Sequence, residues 1–207
     1  MSELGIDEAG RGSILGPLVL AGVVVCEKDI TFLQDLGVMD SKQFGSSKSG
    51  KLKRKGIALE IKQKLPHKII TISSHEVDRY VEKGGLNVLE QQVALEIIQH
   101  LSSDRVVLDG KNLFGPITKQ NIIAENKADL KYISVGAASI LAKDSRDQQF
   151  EEICRPFNQE FGEIRGGGYA NGLTLQFVQW YLKKNKNILP SFYRKSYCWK
   201  SLDLNKI

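Results

Sequence analysis

The sequence is poor in cysteine, in histidine and in long apolar runs, and each shortage removes a class of protein. Its three cysteines, Cys26, Cys154 and Cys198, are odd in number and far apart. That argues against a disulfide framework and fits free thiols in a reducing compartment. His67, His75 and His100 stand singly in polar segments, and no Cys/His group has the spacing of a zinc site. The longest apolar run, residues 14–26, is interrupted by Gly16, Pro17 and Gly22 and is too short to span a bilayer. No signal peptide is expected, because polar, chemistry-bearing residues begin a few positions from Met1. Low-complexity tracts, linkers and internal repeats are also missing. The expectation is a soluble, cytoplasmic protein.

In bulk the chain is ordinary. Its 207 residues, 42% apolar and 26% charged, fit one domain over 1–207 with a real core. Lysine and arginine total 29 against 24 acids, giving +5 and a pI near 9.0. Such a balance is compatible with a polyanionic partner without requiring one.

The opening Leu4-Gly5-Ile6-Asp7-Glu8-Ala9-Gly10-Arg11-Gly12 carries the chemistry. An apolar strand runs into two adjacent carboxylates and then a glycine-flanked arginine. Carboxylates at a buried strand end must be paired or bound to a cation, and oxygen ligands of this kind suit Mg²⁺ or Mn²⁺. Successive strand residues face opposite ways, so the strand is expected to bend or end near Asp7 if both acids are to enter one site. Gly10, Arg11 and Gly12 offer backbone N–H groups and a guanidinium to a phosphate or sugar.

Two nucleotide-binding motifs fail on inspection. Gly10-Arg11-Gly12 with Gly16 has its third glycine one position late, and a strand follows where a helix should start. Gly45 to Leu52 nearly matches a P-loop, but Leu52 stands where a hydroxyl must meet Mg²⁺ and no apolar strand feeds the loop. Ser47 or Ser49 instead caps a basic helix running to about Leu65.

Along the chain, Leu18 to Val25 reads as a buried strand, His67 to Ser73 as another, and Ser74 as the cap of a short helix through Val81. Asn87 to Leu101 has core-facing helical spacing. Arg105 to Gly110 repeats the opening pattern, an apolar strand leaving on the acid Asp109, and Ile122 to Ala124 reads as a short strand. Asp129 precedes a long helix from about Tyr132 to Phe150, whose small residues Gly136, Ala137, Ala138 and Ala142 permit close packing on a sheet. Gly166-Gly167-Gly168-Tyr169 is a loop, and Leu173 to Leu182 another helix. The pattern is α/β with one central mixed sheet.

Four separated pieces together resemble type 2 ribonuclease H, specifically ribonuclease HII. They are Gly5 to Gly12, Asp40-Ser41-Lys42, Leu108-Asp109-Gly110, and Lys127-Ala128-Asp129 with the helix bearing Ala137 to Lys143 and Arg146-Asp147. Gly168-Tyr169 and Arg194-Lys195-Ser196 follow downstream. The resemblance implies an RNase H-like fold, a central mixed β-sheet flanked by helices with a small helical C-terminal portion at about 172–207. It implies a site of four carboxylates, Asp7, Glu8, Asp109 and Asp129, that holds two Mg²⁺ or Mn²⁺ ions; Asp7, as the residue leaving the central strand, is the candidate to bridge both. The implied activity is hydrolysis of the RNA strand of RNA–DNA hybrids and incision at ribonucleotides embedded in duplex DNA, leaving 3′-hydroxyl and 5′-phosphate ends.

Gly10, Arg11 and Gly12 would read the 2′-hydroxyl and Tyr169 would pack on the next sugar. Ser41, Lys42, Lys143, Arg146, Arg194 and Lys195 are the remaining implied substrate contacts. The partner is nucleic acid, no membrane is involved, and a monomer is expected. The related ribonuclease HIII has an extra N-terminal domain and a glutamate as fourth acid, so HII is favoured over it. A catalytically silent nucleic-acid-binding module of the same fold is the other alternative, and the four intact acids count against it. Ala128 departs from a common glycine, and Ala170-Asn171 from a frequent Pro-Thr pair.

Overall fold

The stretch Leu18–Cys26 carries apolar residues on both faces, so it can only be a strand covered on both sides; it forms β2, buried except at Cys26. Its neighbour β1, Ser2–Ala9, pairs with it antiparallel, and β3, His67–Ile72, adds antiparallel on β2's far side. β4, Arg105–Asp109, lies parallel to β1, and β5, Ile122–Glu125, parallel to β4. The five-stranded mixed sheet has the order β3-β2-β1-β4-β5. The computed structural model describes residues 1–39, 44–45, 47–197 and 199.

Helices cover both faces. They are α1 (Ile30–Asp35), α2 (Lys48–Lys64), α3 (Ser74–Val81), α4 (Leu86–His100), α5 (Lys111–Phe114), α6 (Ile133–Cys154) and α7 (Gly172–Lys184). On one face Leu4, Ile6, Leu20 and Leu108 meet Leu89, Val93, Ala94 and Ile97 of α4. On the other, Val19, Ala21 and Val23 meet Ala137, Ala138 and Leu141 of α6 and Ile57 and Ile61 of α2. The small residues of α6 bring it so close to β1 that a Cβ at Gly5 would lie 2.1 Å from the Ser134 carbonyl carbon. This contact sets the height of α6, and of the polar side chains it carries, over the end of β1. Among the described residues, no helix is long and apolar enough to cross a membrane.

Some expectations shift. β1 neither bends nor ends at Asp7: its pairing with β2 continues through Ala9 opposite Val19. The cap of α3 is Ser73, whose Oγ accepts from Glu76 N–H at 3.1 Å, one residue before the expected Ser74. Ser47 caps α2, accepting from Gly50 N–H at 3.1 Å. Helicity near the C-terminus runs only over Gly172–Lys184 among the described residues. Beyond it the chain returns to the sheet end, where Tyr193 bridges Leu15 and Arg194 N–H donates to the Ile14 carbonyl at 2.9 Å. An aromatic cluster of Phe157, Phe161, Phe177, Trp180, Tyr181 and Phe192 packs α7 against the end of α6.

Candidate active site

The chain leaves β1 toward β2 on one side and β4 toward β5 on the other, so the carboxyl ends of this parallel pair flank a crevice, the usual ligand position in such sheets. The register pairs Ile6 with Leu108; one step further, Asp7 lies beside Asp109. Asp109 Oδ1 accepts from Ala128 N–H at 2.8 Å. That bond ties the strand end to a 3₁₀ turn, Ala128–Leu130, which carries Asp129. Lys127 enters this turn in the left-handed region, φ 59°, a conformation uncommon for a side-chain-bearing residue.

From α6, the Ser139 hydroxyl lies near enough to Asp7 to favour its charged form, and its Oγ accepts from Lys143 Nζ at 2.8 Å. Asp7, Asp109, Asp129 and Lys143 are thus brought to one end of β1 and β4. Glu8 faces the other side, as strand alternation requires. It lines a cleft of about 330 Å³ with Arg11, Asn87, Asp109, Asn112 and Asn126.

Asp7 is buried and its carboxyl is held well above the ordinary carboxylate range. Burial is the main cause, and the charges of Glu8 and Asp109 add to it; the Ser139 hydroxyl and Lys143 pull the other way. The local charge is undercompensated, a condition that a cation relieves. Among the described residues, no three acidic, histidine or cysteine side chains form a ready-made metal cage. The donor set still fits Mg²⁺ or Mn²⁺: Mg²⁺ ordinarily takes one or two carboxylates and completes its shell with waters and substrate phosphates.

The loop Gly10-Arg11-Gly12 sits beside these acids. A Cβ at Gly10, φ 90°, would come within 2.6 Å of the Pro17 carbonyl oxygen. Gly12 is exposed, and a Cβ there would lie 3.8 Å from Cε1 of Tyr169. Tyr169 is 44% exposed. It follows three glycines, Gly166, Gly167 and Gly168, all with positive φ (83°, 58° and 69°). At Gly168 a Cβ would lie 2.7 Å from the Phe150 ring and 2.8 Å from the Leu15 carbonyl oxygen, so the ring's placement depends on glycine there.

Three guanidiniums differ from expectation. Arg146 and Arg194 are buried, 2% and 0% exposed, and face the protein rather than a phosphate. Arg146 donates to the Leu15 carbonyl at 3.1 Å and lies over the rings of Phe150 and Tyr169. Arg194 donates to the carbonyls of Gly16, at 3.1 Å, and Arg11, at 2.8 Å. Both are anchors of the loops around the site. Arg11 directs its Nε to both oxygens of Glu90, at 3.0 and 2.9 Å, and Nη2 to Asn87 Oδ1 at 2.6 Å. Lys195 is exposed. Ser41 and Lys42, with Asp40, lie outside the described residues.

Two residues here escaped sequence reasoning. Ser139 stands four before Lys143, a spacing that makes helical neighbours, within a run of small apolar residues. Glu90 is an acid inside the apolar face of α4; burial pushes its carboxyl up to about 7, against the pull of Arg11. The two departures are absorbed: Ala128 supplies the N–H held by Asp109, and Asn171 caps α7, accepting from Thr174 N–H at 2.9 Å.

A mixed five-stranded sheet flanked by helices, with acids at the ends of its central parallel pair, defines an α/β protein of the RNase H-like class. Comparison with known proteins narrows the class. A family model described as Ribonuclease HII matches residues 4–200. The ribonuclease HII of Methanobrevibacter smithii is 35% identical over 206 residues, covering 95% of each chain. Among solved structures, ribonuclease H2 from Pyrococcus horikoshii OT3 superposes with a TM-score of 0.80 at 29% identity, covering 95% of this chain and 94% of that one. The ribonuclease HII solved in complex with PCNA from Archaeoglobus fulgidus has a TM-score of 0.76 at 29% identity, with both chains fully covered. The chain belongs to the ribonuclease HII family. It is an endoribonuclease, a hydrolase acting on RNA–DNA hybrids.

Proposed function

We propose that this enzyme also incises at single ribonucleotides embedded in duplex DNA, and that it hydrolyses the phosphodiester with two divalent cations, leaving 3′-hydroxyl and 5′-phosphate ends. The observation that carries the ribonucleotide reading is the adjacency of Gly12 and Tyr169 beside the acids. Backbone groups of Gly10 to Gly12 contact the 2′-hydroxyl, the feature that separates RNA from DNA. The exposed Tyr169 ring packs on the sugar of the following deoxynucleotide. Together they test for a ribose followed by a deoxyribose, a junction that a single embedded ribonucleotide provides.

Asp7, Asp109 and Asp129, with Glu8 reaching in from the cleft that Asp109 also lines, would hold the two ions, Mg²⁺ or Mn²⁺, whose chemistry is to activate a water and stabilise the leaving oxygen. The raised protonation of Asp7 supports this assignment, because a buried, repelled carboxylate gains most from a cation. Ser139 and Lys143 balance part of the charge on Asp7 until substrate arrives. Lys143 and the exposed Lys195 contact phosphates, as does Lys42 by resemblance.

The test is incubation with a labelled DNA duplex carrying one ribonucleotide, with and without Mg²⁺ or Mn²⁺. Incision at the ribonucleotide, dependent on the cation and absent on all-DNA duplex, is the expected result. Full activity in chelator, or 2′,3′-cyclic phosphate ends, would sink the two-metal reading. Cleavage of long hybrid but not of the single site would sink the junction reading.

A further inference from the structure

The buried acid Glu90 has no place in the reaction chemistry, yet both of its oxygens are spent on Arg11. Around it α4 buries Leu89, Val93, Ala94 and Ile97, so packing alone would favour an apolar side chain there. Buried ion pairs contribute little net stability, because removing two charges from water offsets their attraction, and apolar replacements are often neutral or better. What the pair does fix is geometry. The Nε–H shared between both Glu90 oxygens, and the Nη2 bond to Asn87, leave the Arg11 side chain a single orientation.

The same loop is held from its other side. The Arg11 carbonyl accepts from Arg194 Nη1 at 2.8 Å and from Tyr197 Oη at 2.6 Å. The Gly10 carbonyl accepts from Ser13 N–H at 3.2 Å and from Ser13 Oγ at 2.8 Å. The segment supplying Arg194 and Tyr197 is pinned to α3 by Asp78, which accepts from the N–H groups of Lys195 and Ser196, at 2.9 and 3.0 Å, and from the Ser196 hydroxyl. With the carbonyls of Gly10 and Arg11 bonded inward, the peptide N–H groups are what the loop can present to a sugar hydroxyl.

We propose that Glu90 is a positioning residue for substrate recognition: through the Arg11 guanidinium it fixes the Gly10–Gly12 loop against the scissile ribonucleotide, with Asp78 securing the same loop from the opposite side through residues 194–197. The inference rests on the reading that this loop contacts the ribose. It assigns no chemistry to Glu90, only the orientation of a loop that must meet its substrate within a fraction of an ångström.

A double-mutant cycle tests it. Glu90→Ala, Arg11→Ala and the double variant are compared for kcat and KM on an RNA–DNA hybrid, alongside melting temperature. Glu90→Ala should lower kcat by roughly tenfold or more, the effect expected of a small misplacement, with KM within about twofold because phosphate contacts set most of the affinity. The double variant should be no slower than Arg11→Ala alone, since Glu90 acts only through Arg11. Glu90→Gln keeps the shape and one acceptor, so it should recover most of the lost rate.

Should Glu90→Ala fail to fold, Asp78→Ala loosens the loop without touching α4 and should show the same split between kcat and KM. Additive losses in the cycle, a rate loss that simply follows melting temperature, or unchanged kcat in both Glu90→Ala and Asp78→Ala would overturn the proposal. The single-ribonucleotide duplex, cut or uncut by wild type, separately decides the reading on which it rests.

Discussion

Asp7 sits where an acid is least comfortable: buried, beside Asp109 and next in sequence to Glu8, with Ser139 and Lys143 offsetting part of the charge. A carboxyl raised in the folded state stays protonated there while the unfolded chain ionises near pH 4. Folding stability attributable to Asp7 therefore falls as pH climbs from about 4 toward the raised value, and stays low above it. Asp7→Asn removes this penalty. In chelator, the variant should melt above wild type at neutral pH, with the difference vanishing below about pH 4, where both forms are uncharged. Added Mg²⁺ should then stabilise wild type more than the variant, since ligand bound only by the folded state raises its melting temperature. Equal melting of the two proteins across the pH range would contradict the assignment.

Tyr169 belongs to the same scale. Its ring is 44% exposed beside Gly12 and over Arg146. Contacts of this kind are worth about 1–3 kcal/mol by alanine substitution. Tyr169→Ala should slow cleavage at a ribose–deoxyribose junction some tens-fold, because misplacement is amplified in rate. The dissociation constant for the duplex should change far less, affinity resting on lysine and arginine contacts to phosphates. A rate loss that tracks melting temperature would return the ring to a purely structural role.

At the scale of elements, the position of α6 over β1 governs the site. A Cβ at Gly5 would strike the backbone of Ser134 and Val135 at 2.1–2.2 Å, and backbone cannot move aside as a flexible side chain can. Gly5→Ala should destabilise by about 3 kcal/mol or more and carry Ser139 and Lys143 away from Asp7. Gly56, exposed on α2 with nothing within 4 Å of its would-be Cβ, is the matched contrast. Gly56→Ala should stabilise by up to about 1 kcal/mol through helix propensity alone. Denaturant midpoints of the two variants check both statements.

Elements also mark what was legible in the chain. β2, β4 and α4 announce themselves because their apolar patterns run long enough to show a period, and Asp7 and Asp109 because each follows such a strand. α1 and α5, of six and four residues, are too short to show one. The premise that both acids must share one face predicts a strand that bends or ends near Asp7. Instead β1 stays regular, with Asp7 toward α6 and Glu8 toward the cleft lined by Asp109. The burial of Arg146 and Arg194, given above as implied substrate contacts, could not be read because sequence carries no record of tertiary burial, and the carbonyls of Leu15, Gly16 and Arg11 that hold them lie far away along the chain. Glu90 was hidden for the same reason: its partner is 79 residues distant.

On the scale of the whole molecule, the sheet gathers acids from β1, β4 and the turn before α6, while the loops after β1 and before α7 meet beside them. The central claim is that these strand-end carboxylates perform the cleavage through bound divalent cations. Its most direct test is turnover of an RNA–DNA hybrid at saturating Mg²⁺ by wild type, Asp7→Asn and Asp109→Asn, with circular dichroism and melting curves recorded on the same preparations. Both variants should keep the fold and lose on the order of a hundredfold or more in kcat, as removal of a group stabilising transition-state charge entails. Near-normal turnover by either variant would contradict the account.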